Sequence, residues 1–356
     1  MDLMEIFREA VACMASDIFL IAGLPVSYKV KGVIRRSGER LMPEDTEKLT
    51  AELYTLADNR SMDKLTATGD DDFSFAIPHL SRFRANALKQ RGSFGVVIRV
   101  ISFRLPDYTT LGIPELIMQF ASCSHGMVLF TGPAGSGKTT TLACLVDAIN
   151  STRNVHVITI EDPIEYLHRH KQGIVTQREL STDTASYEVA LRAALREAPD
   201  VILLGEMRDA ETIQAAVTAA ETGHFVISTL HTIGASSTID RIVDSFPPTQ
   251  QGQIRTQLSM VLEGVVCQQL LPGTDGNVVP AFEILRVNNA VRNMIRESKL
   301  HQLDNVIAQS AASGMRTMDQ DILRLVREGK VDAAEGVRYA SNPEWMSARL
   351  NAGKNG

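Results

Sequence analysis

Several things are scarce in this sequence, and each absence narrows what it can be. Only four cysteines occur among 356 residues, at Cys13, Cys123, Cys144 and Cys267. None forms a CxxC pair, and their wide spacing suits neither a zinc site nor a compact disulfide framework. Each reads as a small buried apolar residue. Positive charge is not in excess either: the net charge is −6. So mild a balance gives no hint of the basic domain or stripe that binds nucleic acid. Basic residues do gather at 29–36 and 82–99, where composition alone gives solvated faces. No apolar run reaches the ~18–20 residues that span a bilayer. The opening MDLMEIFREAVACMASDIFL carries acidic residues early and no basic leader, so a signal peptide is not expected. A soluble cytoplasmic protein follows, with any membrane association supplied by a partner.

What is present is a generous apolar fraction, 44% of the chain. A single core rarely grows past roughly 250–300 residues, so two domains are expected. Residues 1–103 form the first, an α+β unit. Helical periodicity covers 3–13 and 44–58, and strands are expected at 17–21, 26–33, 73–77, 82–88 and 94–100. Residues 104–114, with Pro106, Gly112 and Pro114, read as a linker. Residues 115–356 form the second domain. Apolar strands at 127–131, 155–160, 201–204 and 225–230 alternate there with helical stretches at 187–196 and 210–221. That alternation indicates a parallel α/β sheet covered on both faces. From about Thr249 onward the chain reads as mostly helical.

One motif stands out. Gly132, Pro133, Ala134, Gly135, Ser136, Gly137, Lys138 and Thr139 fit G-x-x-x-x-G-K-[ST] at every fixed position, and Thr140 follows. An apolar strand precedes the motif and a helix follows it, as a phosphate-binding loop requires. The glycines let backbone N–H groups turn inward toward phosphate oxygens. Lys138 supplies charge to the β/γ-phosphates of ATP, and the Thr139 hydroxyl can ligate Mg²⁺. The helix that starts here adds its N-terminal dipole.

Acidic residues follow at strand ends, where carboxylates face the ligand crevice of a parallel sheet. Val201–Leu204 leads through Gly205 to Glu206, which must serve alone because glycine stands where an aspartate is common. Residues 159–165 carry Glu161, Asp162 and Glu165, any one of which can orient and deprotonate an attacking water. His224 and His231 flank the strand at 225–230. His231, beside Thr232, is either a structural histidine or a group that senses the γ-phosphate.

Together the strings GPAGSGKTT, ITIEDPIEY, LRAALREAPDVILLGEMRD and TAAETGHFVISTLHT resemble, in this order, the secretion-ATPase superfamily. Its members are the hexameric motors of type IV pili, type II secretion and archaeal flagella. The resemblance implies a RecA-like P-loop ATPase core behind an N-terminal PAS-like α+β domain. SDIFLIAGLPVSYKVKG is similar to that domain, and SRFRANALKQRGSFGVVIRV to its arginine-bearing strands. AVRNMIRE resembles AIRNLIRE, a signature of the pilus-retraction branch. The glycine at 205 is expected in this family.

The resemblance also implies roles. Lys138 and Thr139 hold phosphates and Mg²⁺, Glu165 is the general base, and Glu206 stands near the metal. His224 and His231 form the histidine box. Arg84 and Arg99 reach the γ-phosphate from the N-terminal domain, a task that suits a planar, permanently charged guanidinium. The implied assembly is a homo-hexamer at the inner face of the cytoplasmic membrane, acting on the inner-membrane platform protein of the pilus machine, with no direct nucleic-acid partner. Its activity is ATP hydrolysis that drives pilus retraction and twitching motility. Three departures occur: Phe19 replaces a histidine common at that position, and Val291 and Met294 alter the retraction signature while keeping it apolar.

Alternatives stay open. An extension or secretion ATPase commonly carries a tetracysteine module after the histidine box and an extra N-terminal domain; here only Cys267 follows, and the chain opens almost at the PAS-like region. A low-turnover accessory retraction subunit and a DNA-pumping ATPase are the others.

Overall fold

The computed structural model describes residues 2–30, 32–101 and 105–352. The chain divides into two compact units, Met1–Arg104 with Ile164–Leu167, and Leu105–Pro163 with His168–Gly356.

In the first unit six strands form one sheet: β1 (Asp17–Ile21), β2 (Pro25–Val30), β3 (Val33–Arg40), β4 (Asp70–Ile77), β5 (Ser81–Gln90) and β6 (Ser93–Ile101). Their order is β3-β2-β1-β6-β5-β4, with every pairing antiparallel. The helix Leu3–Ala12 begins at Asp2, whose side chain accepts from the Met4 N–H, and it buries Leu3, Ile6, Phe7 and Ala10. That spacing is one face of a helix laid on a sheet. The two-residue period of β5 sends Phe83, Ala85 and Ala87 into the core and leaves Arg84 on the other face. Phe7 packs on Phe83 with ring centroids 4.6 Å apart. Asp71 lies buried beneath Arg60, Lys64 and Tyr54. Burial alone would raise its carboxyl, but these partners together hold it down at about 2.

The second unit carries seven strands: β7 (Gly126–Thr131), β8 (His156–Glu161), β9 (Ile174–Glu179), β10 (Val201–Leu204), β11 (Phe225–Leu230), β12 (Leu262–Pro272) and β13 (Val278–Arg286). Their order is β13-β12-β7-β11-β10-β8-β9, parallel throughout except for the β12–β13 pair. Counted along the chain without β9 and β13, the core runs fifth, first, fourth, third, second. This is the parallel α/β core the phosphate motif demands. Its strands read as unbroken apolar runs because both faces are covered. On β7, Met127 and Leu129 join one core cluster while Val128 and Phe130 join the other. Residues Ile202 and Leu204 of β10 likewise oppose Val201 and Leu203.

Two expectations gain detail here. Most of the region after Thr249 is helical, but the helix Pro248–Val261 runs straight into the β12–β13 hairpin. Apolar residues on both strands pack beside β7, and Asp275-Gly276 makes the turn, with Gly276 at φ 81°. Residues 105–114, expected as an interdomain linker, pack on the second unit. Ile113 is buried in the second unit with Tyr108 and Leu111 against it, and the Cys144 thiol donates to the Pro106 carbonyl at 3.4 Å.

Helices do dominate beyond β13. Asn289–Arg296, which holds the retraction-like signature, is amphipathic: Val291 and Ile295 are buried, and Asn288 caps it by accepting from the Val291 N–H at 3.0 Å. Arg292 donates to the Ser259 and Met260 carbonyls and to Glu263. Among the described residues no helix is long and apolar enough to cross a membrane.

Candidate nucleotide site

The glycine loop follows β7, whose six residues are all buried. Gly132, Gly135 and Gly137 have φ of 138°, 76° and 86°, values that only glycine adopts readily. At Gly132 the need is also steric, since a Cβ there would stand 2.2 Å from the Gln268 carbonyl oxygen. Gly137 leads into the helix Lys138–Thr152. Lys138 is buried, and its ammonium donates to the Gly132 carbonyl at 2.7 Å and the Pro133 carbonyl at 3.0 Å. The curled loop thus cages its own cation in the place where phosphate oxygens would be received. The Ser136 hydroxyl is buried without a hydrogen-bond partner among the described residues. Thr139 and Thr140 occupy the first turn of the helix and stay half-exposed. The loop thus sets a buried lysine at the start of a helix, and phosphate oxygens would take over the ammonium from the two loop carbonyls.

Gln268 on β12 supports this loop from behind. Its Oε1 accepts from the buried Thr141 hydroxyl at 2.8 Å, and its carbonyl crowds Gly132. Nothing in the sequence reading singled it out, because the contact joins residues 127 apart in the chain.

Glu206 lies just past the C-terminal end of β10. The adjoining backbone is pinned from both neighbouring strands: the Gly205 N–H donates to the Ile160 carbonyl at 2.8 Å, and the Thr229 hydroxyl donates to the Gly205 carbonyl at 2.6 Å. The Glu206 carboxylate is largely buried, pairs closely with Arg208, and lies 3.4 Å from the His231 Nε2. The structure therefore brings Glu206 and His231 together at the C-terminal sheet edge, the edge from which the glycine loop also rises. Arg208, absent from the sequence expectations, is held charged by that carboxylate. Glu161 accepts from the Thr159 hydroxyl at 2.6 Å and from Gln177 at 3.2 Å, so one of its oxygens is already engaged.

Other expected members are placed elsewhere. His224 precedes β11, so it lies at the opposite end of that strand from His231. Six residues at ~3.3 Å each put about 20 Å between those ends. There His224 bonds the Ala219 carbonyl at 2.9 Å and finishes the helix Ala210–Glu221. Its expected place in the catalytic group is corrected within this chain: the strand separates it from the loop. Glu165 is exposed and belongs to Ile164–Leu167, which groups with the first unit. Arg84 and Arg99, on the first unit's sheet, face each other across the β5–β6 register.

Comparison with known proteins fits this geometry. The profile of the Type II/IV secretion system protein family matches residues 1–277. The type IV pilus retraction ATPase PilT of Pseudomonas aeruginosa is 41% identical over 344 residues, 97% of this chain and 99% of that protein. The twitching motility protein of Neisseria gonorrhoeae is 43% identical, across 97% of this chain and 92% of its own. A crystal structure of the pilus retraction motor PilT with bound ADP superposes with a TM-score of 0.88 at 44% identity, covering 98% of this chain and 99% of that one. The Legionella pneumophila ATPase DotB gives a TM-score of 0.75 at 28% identity, with 94% of each chain covered. With the profile spanning most of its length and relatives matched nearly end to end, this chain belongs to the Type II/IV secretion system protein family.

Proposed function

We propose that this chain is an ATP-hydrolysing motor of type IV pilus retraction. The observation that carries the reading is its 41% identity to a pilus retraction ATPase along nearly the whole of both chains, in a protein whose loop cages Lys138 for phosphate. In this reading the loop backbone and Lys138 hold the β- and γ-phosphates of ATP. The Thr139 hydroxyl and Glu206 hold Mg²⁺. Among the described residues no group of three or more His, Cys, Asp and Glu forms a metal cage. That suits a cation carried largely by phosphate oxygens and water, with one hydroxyl and one carboxylate from the protein. When bound, magnesium neutralises charge that develops on the phosphates.

Glu165 serves as general base, taking the proton of the attacking water, while His231 and Arg208 hold Glu206 in place. Arg84 and Arg99 deliver charge to the γ-phosphate, which ties hydrolysis to movement of the first unit. The working form is a homo-hexamer on the cytoplasmic face of the inner membrane, acting on the pilus platform protein. Deleting the gene and scoring surface pili and twitching tests the reading. Abundant pili without twitching support it; loss of pili would mean an extension motor instead.

A further inference from the structure

Gly205 occupies the position where phosphate-loop ATPases commonly carry an aspartate that faces the magnesium ion. The space beside it is filled. A Cβ at Gly205 would lie 2.8 Å from the Tyr187 hydroxyl oxygen and 3.3 Å from the Ile160 carbonyl oxygen. The phenol is delivered by a fixed element. Tyr187 is the first residue of the helix Tyr187–Ala194, capped by Ser186 through the Val189 N–H at 3.2 Å, and its ring packs against the apolar cluster under β10. The charged groups that act on the hydroxyl are Glu206, Asp162, Glu161 and Arg208, which stand at the C-terminal ends of β8 and β10. A tyrosine hydroxyl has one proton to give and lone pairs to accept with, whereas an aspartate only accepts.

Resting on the ATPase reading above, we propose that Tyr187 is a positioning residue of the hydrolytic site and does the work of the aspartate missing at 205. With nucleotide bound, its hydroxyl keeps its proton and donates a hydrogen bond to the Glu206 carboxylate, which keeps Glu206 turned toward the phosphates. The site thereby keeps the orientation an aspartate provides while carrying one negative charge fewer.

A merely structural role rests on the ring, which phenylalanine retains, so Tyr187→Phe separates the two. The measurement is binding of a fluorescent ADP analogue to the full chain, with magnesium and with a chelator. Tyr187→Phe weakens magnesium-dependent binding about fivefold, the scale of one neutral hydrogen bond, and leaves binding in chelator and the melting temperature unchanged. Equal magnesium dependence in the variant and the wild type overturns the proposal. A wild type that binds no better with magnesium than with chelator overturns the ATPase reading of the site itself. A second readout is the pair Gly205→Ala and Gly205→Ala with Tyr187→Phe. The single change lowers the melting temperature, and adding phenylalanine recovers part of the loss; purely additive effects would show that the hydroxyl does not fill this space.

Discussion

Arg84 and Arg99 are direct cross-strand partners on β5 and β6, and each is bound to an aspartate of its own sheet. Arg84 donates to Asp72 at 3.1 Å and Arg99 to Asp17 at 3.3 Å. Like charges placed directly opposite on a sheet repel, so the two aspartates offset a pairing that the fold alone does not need. Each guanidinium is thus paired with a carboxylate that a phosphate would have to displace. Arg84→Ala should leave the fold intact, since an exposed pair such as Arg84–Asp72 contributes at most about 1 kcal/mol. Arg99→Ala also strips the buried Asp17 of its cation and should lower the melting temperature. Hydrolysis should fall by about 10³-fold, the scale seen for arginines that stabilise phosphoryl transfer. Phosphate release measured beside a melting curve checks this; a variant that turns over at the wild-type rate removes Arg84 or Arg99 from the mechanism.

The glycines of the loop are not equivalent. At Gly135 a Cβ meets nothing within 4 Å, whereas at Gly132 it meets the Gln268 carbonyl oxygen at 2.2 Å. Gly135→Ala should therefore cost about 1 kcal/mol of left-handed strain and retain nucleotide binding. Gly132→Ala must displace β12 or the loop and should abolish binding. Titration with labelled ADP ranks the two, and equal losses would show that steric room at 132 is not what matters.

Gln268→Leu removes the acceptor of a buried hydroxyl. Thr141 then lacks its partner, at a cost of about 1–3 kcal/mol. Because Gln268 also backs the loop, KM for ATP should rise more than kcat falls. A lowered melting temperature with unchanged KM would confine Gln268 to a structural part.

A pH effect belongs to His168. Its Nδ1 is buried without a hydrogen-bond partner among the described residues, and burial lowers its pKa from 6.5 to about 4. The unfolded chain thus binds a proton that the folded chain refuses between those two values. Stability must fall as pH drops from about 6.5 toward 4, by about 1–2 kcal/mol at pH 5. In His168→Gln that part of the slope should vanish. Urea midpoints at pH 7 and pH 5 decide it; identical slopes in both proteins would contradict the assignment.

How much of this was legible in the sequence follows from contact range. The loop 132–139 could be read because its strand, turn and helix are contiguous and its glycines serve local backbone needs. The β12–β13 hairpin was missed although Asp275-Gly276 between two apolar runs is a hairpin signal; the helical character of the flanking segments masked it. Glu206 was legible as the end of an apolar strand; its partner Arg208 lies two residues on, but His231 reaches it only through the parallel register of β10 and β11. Tyr187 was invisible because its contact is long-range: a helix packed on the sheet face by β8 and β10 brings its hydroxyl to Gly205. His224 was grouped with His231 through the histidine box of the family, yet a strand places its two ends on opposite edges of a sheet.

Retraction powered through the phosphate loop is the central claim, and one complementation measurement tests it most directly. A deletion strain is supplied with the wild-type gene or with Lys138→Ala, and the shortening of individual labelled pili is recorded. The account predicts that the wild-type gene restores retraction and that Lys138→Ala leaves pili extended and the cells unable to twitch. Retraction restored equally by Lys138→Ala, or a deletion strain that retracts pili normally, would contradict it.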